Sequence, residues 1–180
     1  DAALEWATKL KNDSLLCTLY GALGEYAANI DADYYQAIQW IYKGIELAQV
    51  NRHKQQYGLL LSQLANTYYL KRDGNGLKYA LECYELGCEL QDNYLTYSGA
   101  IQSAYMYFLN KQHTQAMAYV QEAEVLMKQD NFYDQAHTFN LLGQLLDELG
   151  NYPQAMEYYQ KAMKDKQTSQ TSSVVYAHLG

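Results

Sequence analysis

Residues 136–167 read AHTFNLLGQLLDELGNYPQAMEYYQKAMKDKQ. Phe139, Leu142, Gly143 and Leu146 fall at helical spacing. Gly150-Asn151 then ends that helix, because glycine takes the left-handed conformation of a helix C-terminus at least cost. Pro153 suits the first turn of a second helix, where its missing N–H would have had no partner. Apolar spacing resumes at Ala155 and continues through Tyr158, Tyr159 and Ala162. The stretch therefore reads as two helices joined by a tight turn. Gly143, Ala155 and Ala162 stand where the helices must approach closely, and Phe139, Leu142 and Tyr159 fill the space between them.

The pattern recurs upstream. Leu23-Gly24 follows Tyr20, and after one extra turn residue come Tyr34, Ala37, Ile41 and Gly44. Leu64-Ala65 is followed by Tyr68 and Tyr69, a longer turn from Lys71 to Gly76, and then Ala80, Tyr84 and Gly87. A third copy has Ala104, Tyr107 and Phe108, then Ala116, Val120 and Ala123. The second-helix alanines Ala37, Ala80, Ala116 and Ala155 are spaced 43, 36 and 39 residues apart. Hairpins are thus expected at about 14–50, 55–91, 94–129 and 132–166. Residues 1–12, with Leu4, Trp6 and Leu10, read as the second half of a preceding hairpin. Residues 171–180, with Tyr176, Leu179 and Gly180, read as the start of a further one. The expectation is a single all-α array over 1–180, cut from a longer chain. Its end helices, carrying Leu4, Trp6 and Leu10 on one side and Val174, Val175, Tyr176 and Leu179 on the other, would favour end-to-end self-association.

The order of aromatic, Leu-Gly, Ala, aromatic and Ala over 136–167 resembles the tetratricopeptide repeat (TPR). The family's proline after the second helix is absent, and Gln167 stands in its place. The stretched spacings resemble the TPR arrays of bacterial signalling and transcription regulators. The resemblance implies a right-handed α-solenoid of antiparallel helix hairpins, whose first helices line a concave groove.

Composition agrees with a helical array. Of 180 residues, 49% are hydrophobic and only 12 are glycine or proline, so a sizeable core is available and turns are few. Net charge is −7 with no long basic run, which argues against a nucleic-acid surface or an anionic-membrane patch. No stretch reaches the ~18 apolar residues of a membrane span. Twenty tyrosines against three phenylalanines and two tryptophans point to many half-buried sites, each with its ring inside and its hydroxyl at the edge. The Tyr-Tyr pairs at 34–35, 68–69 and 158–159 fall on repeat core positions. Cys17, Cys83 and Cys88 are odd in number and fit buried helical thiols better than a disulfide framework, which leans towards a reducing compartment.

Catalytic and cofactor chemistry finds no foothold. Asp73-Gly74-Asn75-Gly76 lacks the Lys-Ser/Thr of a phosphate loop and the final Glu of a calcium loop. His53, His113, His137 and His178 are scattered, so neither a metal site nor a catalytic site is expected. Asp147 and Glu148 read as a solvated helix end rather than as a catalytic carboxylate pair.

The groove register of the family places Ser62, Asn66, Tyr69, Gln102, Tyr105, Phe108, Asn140, Gln144 and Asp147 on the concave face. Amides suit the backbone of an extended peptide, since each offers donors and an acceptor. Rings add contact area at low entropy cost. TPRs that clamp a terminal carboxylate carry cations here, whereas this chain has Leu59, Ser62, Asn66, Ser98 and Gln102. The reading is a non-enzymatic module that binds a peptide or protein segment, without cofactor or metal, and serves as the sensory part of a larger bacterial regulator. Its rival is a scaffold that assembles a multiprotein complex. With no cation clamp, binding is expected to depend weakly on salt.

Overall fold

A computed structural model describes residues 2–130 and 135–164. Among them lie α1 (Ala2–Lys9), α2 (Asp13–Asn29), α3 (Tyr34–Val50), α4 (Lys54–Leu70), α5 (Leu77–Leu90), α6 (Asn93–Leu109), α7 (His113–Asp130), α8 (Ala136–Glu148) and α9 (Tyr152–Lys164), with no strand. A 3-10 turn, Gly74–Gly76, precedes α5. Successive helices pack on one another, so the fold is an all-α stack of hairpins. In addition α2, α4, α6 and α8 touch in succession and form one layer. The stretch expected to open a further hairpin, 171–180, lies outside the described residues, as do Val174, Val175, Tyr176 and Leu179. At the other end, Trp6 and Leu10 are exposed.

The turns share one device. At the end of α8, Gly150 has φ +78. Its N–H donates to the Asp147 carbonyl at 2.9 Å, and the Asn151 N–H donates to that of Leu146 at 2.8 Å. This pair of hydrogen bonds satisfies carbonyls that a bare helix end would leave open. The same pair closes the chain at Lys11, Arg52, Arg72, Gln91 and Lys111, each with positive φ although none is glycine. Side chains then start the next helix: Asn12 accepts from the Leu15 N–H, Asp33 from that of Gln36, and Asp92 from those of Tyr94 and Leu95.

These turns set the register. Arg72, Lys111 and Gly150 are each 39 residues apart, so α4, α6 and α8 are equivalent elements. Asn66, Tyr105 and Gln144 occupy one matching row, and Tyr69, Phe108 and Asp147 occupy another. Ser62 matches Ile101 and Asn140, which leaves Gln102 one residue out of that row.

Close approach depends on small residues. Ala37, Ala80, Ala116 and Ala155 are all buried. A Cβ on Gly143 would come within 2.5 Å of the Tyr159 ring, and one on Gly99 within 2.3 Å of the Tyr84 backbone. The large buried residues divide into successive clusters. One joins Cys17, Ile41, Leu60, Leu64 and Leu95; another joins Ala104, Val120, Leu141, Leu142 and Leu145.

Two expectations for the core need correction. Of the Tyr-Tyr pairs, Tyr35 is 75% exposed while Tyr34 packs on Ala27, Ala28 and Ala37. Neighbours on a helix point about 100° apart, which turns Tyr35 outward, whereas Tyr68, Tyr69 and Tyr158 are half-buried against the core and Tyr159 is buried. Likewise Cys17 and Cys83 are buried, their thiols donating to the carbonyls of Gly44 and Leu95, but Cys88 is exposed on α5.

Candidate binding groove

The layer α2–α4–α6–α8 alternates with the other helices, so its members run parallel and their C-terminal ends lie on one side. Near the ends of α4, α6 and α8 a cavity of about 280 Å³ opens, lined by Tyr69, Arg72, Phe108, Gln144, Asp147, Glu148 and Tyr159. Four of the nine expected groove residues line it: Tyr69, Phe108, Gln144 and Asp147. A fifth, Tyr105, packs its ring on Tyr69 with centroids 4.6 Å apart. Helical spacing brings them together, since residues three apart share a face: Tyr105 and Phe108 on α6, Gln144 and Asp147 on α8.

The other four are placed differently. Ser62 and Asn66 are half-buried on α4 and do not line this cavity. The Gln102 amide oxygen is buried with no hydrogen-bond partner among the described residues. Asn140 is 4% exposed, and its amide oxygen is likewise buried and unpartnered among them. Asn140 is therefore an interior residue of α8 and not an open groove contact. Its row fellow Ile101 is also buried, so this row lies deeper than the other two.

Three lining residues did not come from the groove register. Tyr159 reaches in from α9 although only 3% exposed. Burial, and second the charge of Asp147, push its phenol up to about 12. It stays a neutral hydroxyl at ordinary pH. Arg72 enters from the left-handed turn after α4. Its charge partly offsets the upward push that burial gives the Tyr69 phenol. Glu148 joins Asp147 at the end of α8, so this carboxylate pair faces the cavity as well as solvent. Charge thus enters the groove, negative beside Tyr159 at the expected position Asp147, and positive beside Tyr69 through Arg72, a cation that the groove positions alone did not supply.

The rim carries further polar contacts. The Lys111 ammonium stands 3.3 Å from both Glu148 carboxylate oxygens and 5.8 Å from the Phe108 ring centre. His113 meets the Phe108 ring edge-on, with its Nε2 3.7 Å from Glu148. The Lys111–Glu148 pair is exposed and contributes about 0–1 kcal/mol. Asp147 has no ion pair or hydrogen bond through its carboxylate among the described residues.

A second hollow, of about 220 Å³, lies between α7, α8 and α9 and includes Met117, Glu124, Leu146 and Lys161. There the Lys161 ammonium sits 4.3 Å from the Tyr158 ring centre. Lys161 is thus engaged with its neighbours and is not a bare surface charge.

Among the described residues no helix is long and apolar enough to cross a membrane. None of their His, Cys, Asp and Glu side chains gather in threes that could hold a metal. No protein-family model matches the chain, and no curated protein matches it.

Proposed function

We propose that this chain is a TPR-type recognition module that binds an extended peptide or protein segment across α4, α6 and α8. The observation that carries the reading is the convergence of Tyr69, Tyr105, Phe108, Gln144 and Asp147 around one cavity, from three helices in one register. Rings, an amide and charges are the chemistry that holds a peptide's side chains and backbone. The rows repeat every 39 residues, so a ligand extended across them meets amides and a ring in one row, and two rings and a carboxylate in the other. The module is the sensing part of a larger bacterial regulator, in keeping with the stretched repeats, and it performs no catalysis itself. The test is a random peptide library screened against the chain, with binders mapped by backbone amide shifts. Binders that move Asn66, Tyr69, Tyr105 and Gln144, and lose affinity in Tyr105→Ala, support the proposal. Binders that move only the α7–α9 hollow, or an empty screen, overturn it.

A further inference from the structure

We infer that the cavity at the ends of α4, α6 and α8 takes a lysine or arginine side chain of the bound peptide. This rests on the groove reading above and names the chemistry at its centre. Three observations point to a cation. First, the last turns of α4, α6 and α8 converge there, so ring faces and carboxylates from three helices meet in one cavity. Second, Asp147 and Glu148 line the cavity against a single lining cation, Arg72, and Asp147 has no ionic partner of its own among the described residues. Arg72 stands beside Tyr69 and Asp147 beside Tyr159, so the α8 side is the negative side. Third, the molecule already demonstrates the contact. Lys111 lays its ammonium near the Phe108 ring and against both oxygens of Glu148. A ring face and a carboxylate are the two groups that hold an ammonium best outside water. Lys111 is 69% exposed, so its hold is loose and an incoming basic side chain can displace it. The incoming stem would cross Phe108 and Tyr69, with its charge between Asp147 and Glu148.

The inference makes Lys111 a competitor. Removing its charge should therefore tighten binding, which loss of folding cannot imitate. Glutamine is the suitable replacement, because Gln91 already occupies the equivalent left-handed position in another turn. The experiment takes the binders from the random peptide library, synthesised with a fluorophore, and measures anisotropy against the parent and three variants. Expected are binders that share a lysine or arginine at one position. Replacing that residue by norleucine, or changing Asp147→Asn, should each weaken binding about tenfold, as losing one charge-assisted contact does. The two changes together should cost little more than either alone. Glu148→Gln should weaken binding less, since Lys111 already shares that carboxylate, and Lys111→Gln should strengthen it severalfold. If binders shift the amides of Tyr69 and Phe108 but share no basic residue, or are indifferent to Asp147→Asn, the cation inference is overturned and the groove reading stands. If binders shift neither, both are overturned.

Discussion

A left-handed residue closed by one pair of hydrogen bonds, repeated at six turns, ends six of the described helices. At Gly150 the left-handed φ costs nothing extra, and a Cβ there would meet no atom within 4 Å. Gly150→Ala therefore tests the backbone term alone and should destabilise by about 1 kcal/mol. At Arg52 the chain takes φ +56 with a side chain present. Arg52→Gly should accordingly stabilise by up to about 1 kcal/mol. Urea midpoints of the two variants check both signs, and equal midpoints would refute the account. This contrast also explains what was legible in the sequence. Glycine followed by Asn-Tyr-Pro announced the α8–α9 turn, whereas Arg52, Gln91 and Lys111 carry no local signal for the same geometry. Nor does the sequence mark Arg72 as a cavity residue, since it stands in a turn and not on the helix face whose spacing carries Tyr69. Asn140 erred the other way: its spacing is that of a groove residue, but its row is buried.

Between helices, the energetics depend on how closely two elements can approach. Ala155 of α9 is 2% exposed, and the extra carbons of a leucine cannot be housed there without moving α8. Ala155→Leu should destabilise the α8–α9 hairpin by about 1–3 kcal/mol, read as a lowered urea midpoint. This register was open to sequence reading, because small residues recurring at fixed offsets mark the places where helices must come close. The tyrosine contacts were not, because ring geometry depends on which hairpin stacks on which. Across α3, α4 and α5 they form a set: Tyr68 stacks on Tyr79, Tyr79 meets Tyr42 edge-on, and the Tyr57 hydroxyl donates to Glu82. Chiefly through burial, the phenols of Tyr57, Tyr68 and Tyr79 are each pushed up to about 12. An unfolded tyrosine ionises near pH ~10. Above that pH the unfolded chain sheds these protons while the folded chain keeps them. Their contribution is therefore complete below pH ~10 and is lost as pH rises through about 12. Urea midpoints should fall over that window, and Tyr57→Phe should make the fall shallower.

At the scale of the whole stack, each hairpin of the described residues packs chiefly on its neighbours, the arrangement of a one-dimensional object. The apolar interior follows that order. Leu64 belongs to the cluster built by Cys17, Ile41, Leu60 and Leu95, and Leu141 belongs to the one built by Val120, Leu142 and Leu145. Both leucines are fully buried, and the two clusters share no residue. A globular core would couple two such sites through common neighbours, whereas a stack transmits strain only from one hairpin to the next. The solenoid reading of the sequence carries this consequence, yet the partition into clusters needed the packing itself, since the apolar pattern alone runs unbroken along the chain. Leu64→Ala and Leu141→Ala should each destabilise by about 2–5 kcal/mol through lost burial and an unfilled cavity. Being separated, their effects should add in the double variant to within about 0.5 kcal/mol. Hydrogen exchange offers the finer reading. Leu141→Ala should speed exchange in α8 and α9 far more than in α2 and α3, and Leu64→Ala should do the reverse. Uniform acceleration along the whole chain in either variant would mean that the hairpins unfold as one cooperative unit. The stack would then have a single core, and the groove formed by its three helices would open only when everything else does.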